Sequence, residues 1–366
     1  MNKKLLIISL AVSVVLIICL LAFNYYQTDN NTGNNTGNNS DNNQTKIGNG
    51  ILIGFSIGTF QGERWQRDEI AFLKRADELG VVVDLQLSDN NVKQQISQID
   101  GMILKGVDVL VIAPHDANSL TDVVARAHKA GIKVISYDRL IKNSNVDYYL
   151  SFDNVKVGEY QADYILNLFK DKFSKDKKLK FAYVGGATTD NNAILFRNGA
   201  FNKLQPKIDS GEIIMVFDQF TKNWDPANSY SNIKEFLAKP GNTIDAVVAA
   251  NDSTAFGVIK ALAEYKLDGK VPVSGQDAEL VALQRIVSGT QSMTVYKPTA
   301  NLASISVDVA IKAAKDEKII TNSTVNDGSR DIPSILLESV PVDKTNIDST
   351  IVKDGYFTHA DIYKAN

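Results

Sequence analysis

From Ile51 onward, short apolar runs alternate with stretches in which apolar residues recur every three or four positions. Ile51 to Ile57 reads as a buried strand, and Phe72, Ala76 and Leu79 as one face of the helix that follows. Val92, Ile96, Ile99 and Ile103 mark a clearer helix, and Val107 to Ala113 a strand closed by Pro114. Another helix and the strand Ile132 to Tyr137 complete a first set. A second set has strands at Phe181 to Val184, Ile213 to Phe217, Ala246 to Ala250 and Val271 to Ser274, with helices beginning near Asn192, Pro226, Ser253 and Ala278. Asp225 before Pro226 supplies an N-cap and a first-turn proline. After Lys297-Pro298 a helical stretch reaches about Lys318, and the more irregular remainder is expected to cross between lobes. Strand-helix-strand repetition with apolar strands predicts an α/β protein whose parallel sheets are covered on both faces.

The strand-like runs repeatedly stop at polar side chains: Tyr137-Asp138-Arg139, Thr189-Asp190-Asn191-Asn192, Ala250-Asn251-Asp252, Gly275-Gln276-Asp277 and Tyr296-Lys297-Pro298. Ligands of open α/β sheets bind beyond the carboxyl ends of the strands, so these endings predict one site walled by two sheets. Arg64 and Trp65 follow the first strand closely enough to turn into the same crevice, and Trp224 adds a second indole. Three cations, Arg64, Arg139 and Lys297, face three carboxylates, Asp138, Asp190 and Asp277, while Asn192 and Asn251 add amides. That balance suits a neutral polyol better than a phosphate or a dicarboxylate. Hydroxyls donate to carboxylates and accept from guanidinium, ammonium or amide groups, and an indole covers the apolar face of a sugar ring. Structural readings stand beside these: Asp225 and Asp252 as helix caps, Asp108 as a strand start, Asp138 with Arg139 as a strand-end pair, and Trp65 as core.

The N-terminus adds a membrane. Lys3 and Lys4 precede an apolar stretch from Leu5 to Phe23, which at about 1.5 Å per residue nearly spans a hydrocarbon core of roughly 30 Å. Positive charge ahead of the stretch predicts a cytoplasmic N-terminus and an extracellular globular part on the outer face of the cytoplasmic membrane. Ala22-Phe23-Asn24-Tyr25-Tyr26 offers no small-x-small cleavage pair, and Cys19 after Leu16-Ile17-Ile18 makes a poor lipobox. Residues 1–27 are therefore expected to be a retained anchor. The repeats Thr32-Gly33-Asn34-Asn35 and Thr36-Gly37-Asn38-Asn39 lie in a linker over residues 28–50, with nothing to bury and a reach on the order of 25 Å.

With 366 residues the chain exceeds what one hydrophobic core organises. Its net charge of -3 gives no basic footprint for nucleic acid. The single cysteine cannot form an internal disulfide, and His115, His128 and His359 lack metal-ligand spacing. No calcium loop, metal site or cofactor is implied. Catalysis by paired carboxylates is disfavoured, because a charge-paired pocket holds both ionised instead of raising one pKa.

Glu63-Arg64-Trp65-Gln66, Ser136-Tyr137-Asp138-Arg139, Ser151-Phe152-Asp153-Asn154, Asp190-Asn191-Asn192-Ala193, Ser274-Gly275-Gln276-Asp277 and the run Gly289 to Pro298 closely resemble the D-xylose-binding protein family of bacterial ABC sugar importers. The resemblance covers nearly the whole globular part. It implies a type I periplasmic-binding-protein fold, two lobes on a three-crossover hinge that close on a sugar, with residues 51–153 and about 298–335 in one lobe and 154–297 and about 336–366 in the other. It also implies sugar contacts from Arg64, Asp138, Arg139, Asp190, Asn192, Asn251, Asp277 and Lys297, with Trp224 stacking on the ring. Ile57-Gly58-Thr59-Phe60-Gln61 departs from the family in lacking charged residues before Glu63. The implied ligand is D-xylose or a close monosaccharide. A sugar-responsive repressor shares the core fold, but a membrane segment stands where its DNA-binding helices would be. Two partners fit: a membrane permease, or a sensor histidine kinase that an anchored receptor would serve in signal transduction, with anchoring favouring the second.

Overall fold

The computed structural model describes residues 50–60, 62–174 and 176–364; the expected anchor and all of the expected linker but Gly50 lie outside them. The first lobe opens with β1 (Leu52–Ile57), α1 (Arg64–Glu78), β2 (Val82–Leu87), α2 (Val92–Lys105), β3 (Val109–Ala113), α3 (Thr121–Lys129), β4 (Lys133–Tyr137) and β5 (Tyr148–Phe152). The second holds α4 (Asn154–Leu168), β6 (Leu179–Gly185), α5 (Asn191–Asp209), β7 (Ile213–Phe220), α6 (Pro226–Ala238), β8 (Ala246–Ala249), α7 (Asp252–Glu264), α8 (Leu280–Ser288) and β9 (Thr294–Tyr296). The chain then returns through α9 (Thr299–Ala314), β10 (Ser323–Asn326) and β11 (Asp331–Leu337) before β12 (Val340–Val342).

The first sheet runs β10-β11-β5-β4-β3-β1-β2, with every neighbouring pair parallel except β10 and β11. Its middle strands are apolar on both faces because helices cover both. Phe55, Val111 and Tyr137 pack against Phe72 of α1 and Leu302 and Val307 of α9, while Leu110, Ile112 and Val134 pack against Ile99 of α2 and Val123 and Ala127 of α3. The second lobe repeats the plan around β7-β6-β8, all parallel. Since β11 belongs to the first sheet and β12 pairs with β9, the chain passes between the lobes three times, after Phe152, after Tyr296 and after Leu337.

The pattern reading differs from the structure in several places. Val271 to Ser274 is not a strand; Val273 makes a single bridge to Val247. The helix expected near Ala278 starts at Leu280, because Asp277 and Ala278 have φ of 95° and 52°. The helix expected to reach Lys318 ends at Ala314. Strands β2, β5 and β9 to β12 were not legible as such, and β10 and β11 lie in the stretch read as irregular.

Candidate functional site

The carboxyl ends of the strands meet between the lobes in a cavity of about 360 Å³, counting its open mouth. Arg64, Trp65, Asp138, Arg139, Asp190, Asn192, Trp224, Asn251, Asp277 and Lys297 all line it, joined by Phe196 and Gln276, which the strand-end pattern did not single out. Nearly every polar lining group is buried, so each must be paired or await a partner.

Most charges are paired. Arg64 donates from Nη1 to Asp138 Oδ2 at 2.8 Å and from Nη2 to Asp68 Oδ2 at 2.6 Å. Asp68, one turn beyond Arg64 on α1, is fully buried and also accepts from the Tyr137 hydroxyl at 2.9 Å. Arg139 Nε lies 2.8 Å from Asp190 Oδ2, a bridge from the first lobe to the second. Lys297 Nζ lies 3.0 Å from Asp277 Oδ1, yet that oxygen accepts no aligned hydrogen bond. Burial pushes the Asp138 carboxyl up, but Arg64, then Lys297 and Arg139, outweigh it and hold it below the usual carboxylate range. For Asp190 burial prevails over Arg139, and its carboxyl is raised.

Backbone conformation aims several of these groups. Asp138, Trp224 and Asp277 have φ of 58°, 59° and 95°, each costing on the order of 1–3 kcal/mol for a residue with a side chain. The Asp138 carbonyl is held by three donors: the Tyr149 hydroxyl at 2.9 Å, Ser151 Oγ at 2.7 Å and Asn192 Nδ2 at 3.0 Å. Asn192 Oδ1 in turn accepts from Asn154 Nδ2 at 2.9 Å, tying the first hinge segment to the cavity wall. Asp190 is the N-cap of α5, accepting from Asn192 N at 2.9 Å.

The caps divide differently from the expectation for Asp252. Asn251 is the N-cap of α7, accepting from Thr254 N at 2.9 Å. Asp252 sits inside the first turn, fully buried, and accepts from Gln291 Nε2 at 2.7 Å, Thr294 Oγ1 at 2.9 Å and Glu279 N at 3.0 Å. Asp225 does cap its helix, accepting from Ala227 N at 2.8 Å. Trp65 is both core and wall: its ring packs with Phe55 and Phe72, and the Arg64 and Arg139 guanidinium carbons lie 4.6 and 5.2 Å from its centroid. Trp224 lines the cavity from the second lobe, its ring in a T-shaped contact with Phe196.

Among the described residues, three buried polar atoms of the lining have no hydrogen-bond partner, Arg64 Nε, Trp224 Nε1 and Gln276 Oε1, and Asp277 Oδ1 has only its ion pair with Lys297. Donors and acceptors left open together in a cavity between two lobes are what a polar ligand satisfies. Residues 53–318 match the model of the periplasmic binding protein domain. The chain belongs to the periplasmic binding protein family.

It is 44% identical to a D-xylose-binding periplasmic protein of Haemophilus influenzae, over 85% of this chain and 92% of that one. It is 42% identical to a D-xylose-binding periplasmic protein of Escherichia coli, with the same two coverages. A solved ABC transporter solute-binding protein from Clostridium phytofermentans, with bound β-D-glucose, superposes with a TM-score of 0.78 at 34% identity, covering 85% of this chain and 99% of that one. As a member of this family the chain is a solute receptor and not an enzyme.

Outside the cavity the receptor carries a second set of contacts between its lobes. Glu63 Oε2 on the first lobe accepts from Leu280 N at 3.2 Å on the second. Arg67, one turn on, donates to Glu63 Oε1 at 2.9 Å and to the Tyr356 carbonyl at 3.1 Å, and its guanidinium lies 4.4 and 4.2 Å from the Tyr356 and Phe357 ring centroids. Both rings pack with α8 and β9 of the second lobe. The contacts of Arg67 that cross between the lobes, a partly exposed hydrogen bond to the Tyr356 carbonyl and the cation–π contacts, together contribute about 1 kcal/mol. Arg67→Ala is therefore expected to weaken ligand binding about three- to tenfold, through faster release, while touching no lining residue. Stopped-flow dissociation rates check this, and an unchanged off-rate contradicts it.

Proposed function

We propose that the chain is an extracytoplasmic receptor that closes on D-xylose or a closely related monosaccharide and delivers it to the permease of an ABC importer. One observation carries the reading: a buried, charge-balanced cavity shared by two lobes, with unpartnered donors and acceptors and indole walls. A neutral ring with several hydroxyls satisfies those atoms without adding charge, whereas an anion would break the pairing of Arg139 with Asp190 and of Lys297 with Asp277. The names of the two bacterial relatives support the pentose. We assign the ten lining residues named above, from Arg64 to Lys297, as sugar contacts. Residues 51–153 with about 298–335 then form one lobe and 154–297 with about 336–366 the other. Arg64, Asp138 and Arg139 lie on the first, and Asp190, Asn192, Trp224, Asn251 and Asp277 on the second, so a sugar held by both selects the closed form.

A thermal-shift screen across pentoses and hexoses tests the ligand. The largest upward shift is expected with D-xylose, since ligand bound only to the folded state stabilises it by mass action; no shift with any neutral sugar would refute the reading.

A second reading rests on the apolar stretch from Leu5 to Phe23 and the Asn-rich segment after it. In it the chain stays anchored, and its closed form biases a sensor histidine kinase in the same membrane. Anchoring raises effective concentration beside a membrane partner without raising flux. Capture from detergent-solubilised membranes with and without D-xylose separates a permease from a kinase. Mass spectrometry of the N-terminus decides retention, and a mature chain beginning at Cys19 or later would end the anchor reading.

A further inference from the structure

Among the described residues the cavity holds three side-chain amides, and their oxygens are not equivalent. Asn192 Oδ1 accepts from Asn154 Nδ2 at 2.9 Å. Asn251 Oδ1 is taken by the capping bond from Thr254 N at 2.9 Å. Gln276 Oε1 has no partner, although the residue is 2% exposed and lines the cavity. Its other amide atom fixes which end is which: Gln276 Nε2 donates to the Ala250 carbonyl at 3.3 Å. Turning the amide over would set oxygen against oxygen there.

The backbone beneath Gln276 leaves little freedom to turn the group away. Asp252 N donates to the Gln276 carbonyl at 2.9 Å, and Asp277 N to the Val295 carbonyl at 2.9 Å. The preceding Gly275 is pressed so closely on the Asp252 carboxylate that a Cβ there would lie 2.0 Å from Oδ1. The side chain is thus a buried neutral acceptor on a fixed support.

We infer that Gln276 is a specificity-determining residue, whose Oε1 accepts a hydrogen bond from one particular hydroxyl of the bound sugar. The inference rests on the monosaccharide reading above and adds a selection rule to it. The carboxylates at Asp138, Asp190 and Asp277 attract any donor, charged amines included, and are already balanced by Arg64, Arg139 and Lys297. A neutral amide oxygen adds no charge, and it rejects a ligand lacking the matching donor because it is then left buried and unpaired. Sites built to bond a substrate hydroxyl discriminate strongly against analogues without it for this reason.

The test is calorimetric titration of wild type, Gln276→Leu and Gln276→Met with D-xylose and its monodeoxy analogues. For D-xylose, both variants are expected to bind about 10- to 100-fold more weakly, in the range a missing buried hydrogen bond produces. For one monodeoxy analogue, the sugar lacking the hydroxyl that meets Oε1, wild type and variants should bind alike, while the other analogues keep the full difference. Thermal melting without sugar should match wild type, as Gln161 Nε2 still serves the Ala250 carbonyl at 3.0 Å. Variants that bind D-xylose like wild type overturn the inference. So does an equal loss across every analogue, which marks Gln276 as merely structural. If wild type binds none of the sugars, the monosaccharide reading itself fails, an outcome distinct from either.

Discussion

Asp277→Asn is expected to weaken sugar binding by roughly 2 to 5 kcal/mol, the range found when one partner of a buried charge pair is removed. That is about thirtyfold to several thousandfold. Lys297 sets this cost. Its side chain is 3% exposed, and its ammonium lies 5.6 and 5.7 Å from the Phe152 and Phe196 ring centroids. Among the described residues its one ion-pair partner is Asp277. With the carboxylate gone, the cavity carries an uncompensated buried cation, and the sugar meets a neutral amide in place of a charged acceptor. Asparagine is the better first substitution, since it keeps the volume and tolerates positive φ more readily than most residues, and Asp277 has a φ of 95°. Asp277→Ala adds backbone strain and an empty volume to the lost charge, so binding should become undetectable. Calorimetry measures the affinities, and melting without sugar reports whether the fold survives. Wild-type affinity in Asp277→Asn would remove Asp277 from the site.

That residue was legible in the sequence for a physical reason. Strands covered on both faces exclude polar side chains, because an unpaired polar group there costs several kcal/mol, so a charge at the end of an apolar run marks where the sheet opens onto a cavity. The ends of the apolar runs at Asp138, Asp190, Asn251 and Asp277 and the helix start at Arg64 are all of this kind, and the structure brings them to one cavity. Phe196 escaped notice because an aromatic inside α5 reads as core. Gln276 stands out in the sequence only as the neighbour of Asp277. Asp68 does carry a signal: it stands four residues after Arg64, the spacing at which helical side chains meet. The positive φ at Asp138, Trp224 and Asp277 leaves no mark in residue types, as none of the three is glycine or asparagine. The outer strands β10 and β11 and the crossing after Leu337 depend on pairing with distant β5, which local pattern does not encode.

The wall opposite Trp65 yields the second large effect. Gly186 lies directly under the Trp224 indole: a Cβ at that position would fall 2.0 to 2.2 Å from its Cη2, Cζ2 and Cζ3 atoms. Gly186 is not among the residues with positive φ, so alanine meets no left-handed backbone penalty, and the atoms nearest its methyl are those of the indole. The ring has little room to yield by moving its backbone. Asn223 and Trp224 are held in a left-handed pair with φ of 56° and 59°, Trp224 N donates to the Thr221 carbonyl at 3.2 Å, and Thr221 N is anchored on the Gly185 and Gly186 carbonyls at 3.1 and 2.9 Å. The indole must therefore rotate about its side-chain bonds, into the sugar's place or out of the cavity. Gly186→Ala is expected to lower sugar affinity at least about thirtyfold, the scale of roughly 2 kcal/mol for losing a buried aromatic wall. Melting without sugar should change less, because the shorter list of unfolded conformations for alanine offsets part of the lost packing. The chain has two tryptophans, so in a Trp65→Phe background the emission reports Trp224 alone, and Gly186→Ala should shift it before any sugar is added. A double-mutant cycle isolates the cause: if the methyl acts only through the indole, adding Gly186→Ala to Trp224→Ala should cost nothing more in affinity. Full affinity in Gly186→Ala, or a cost that persists without the indole, would show that Trp224 does not form the wall on which the sugar rests.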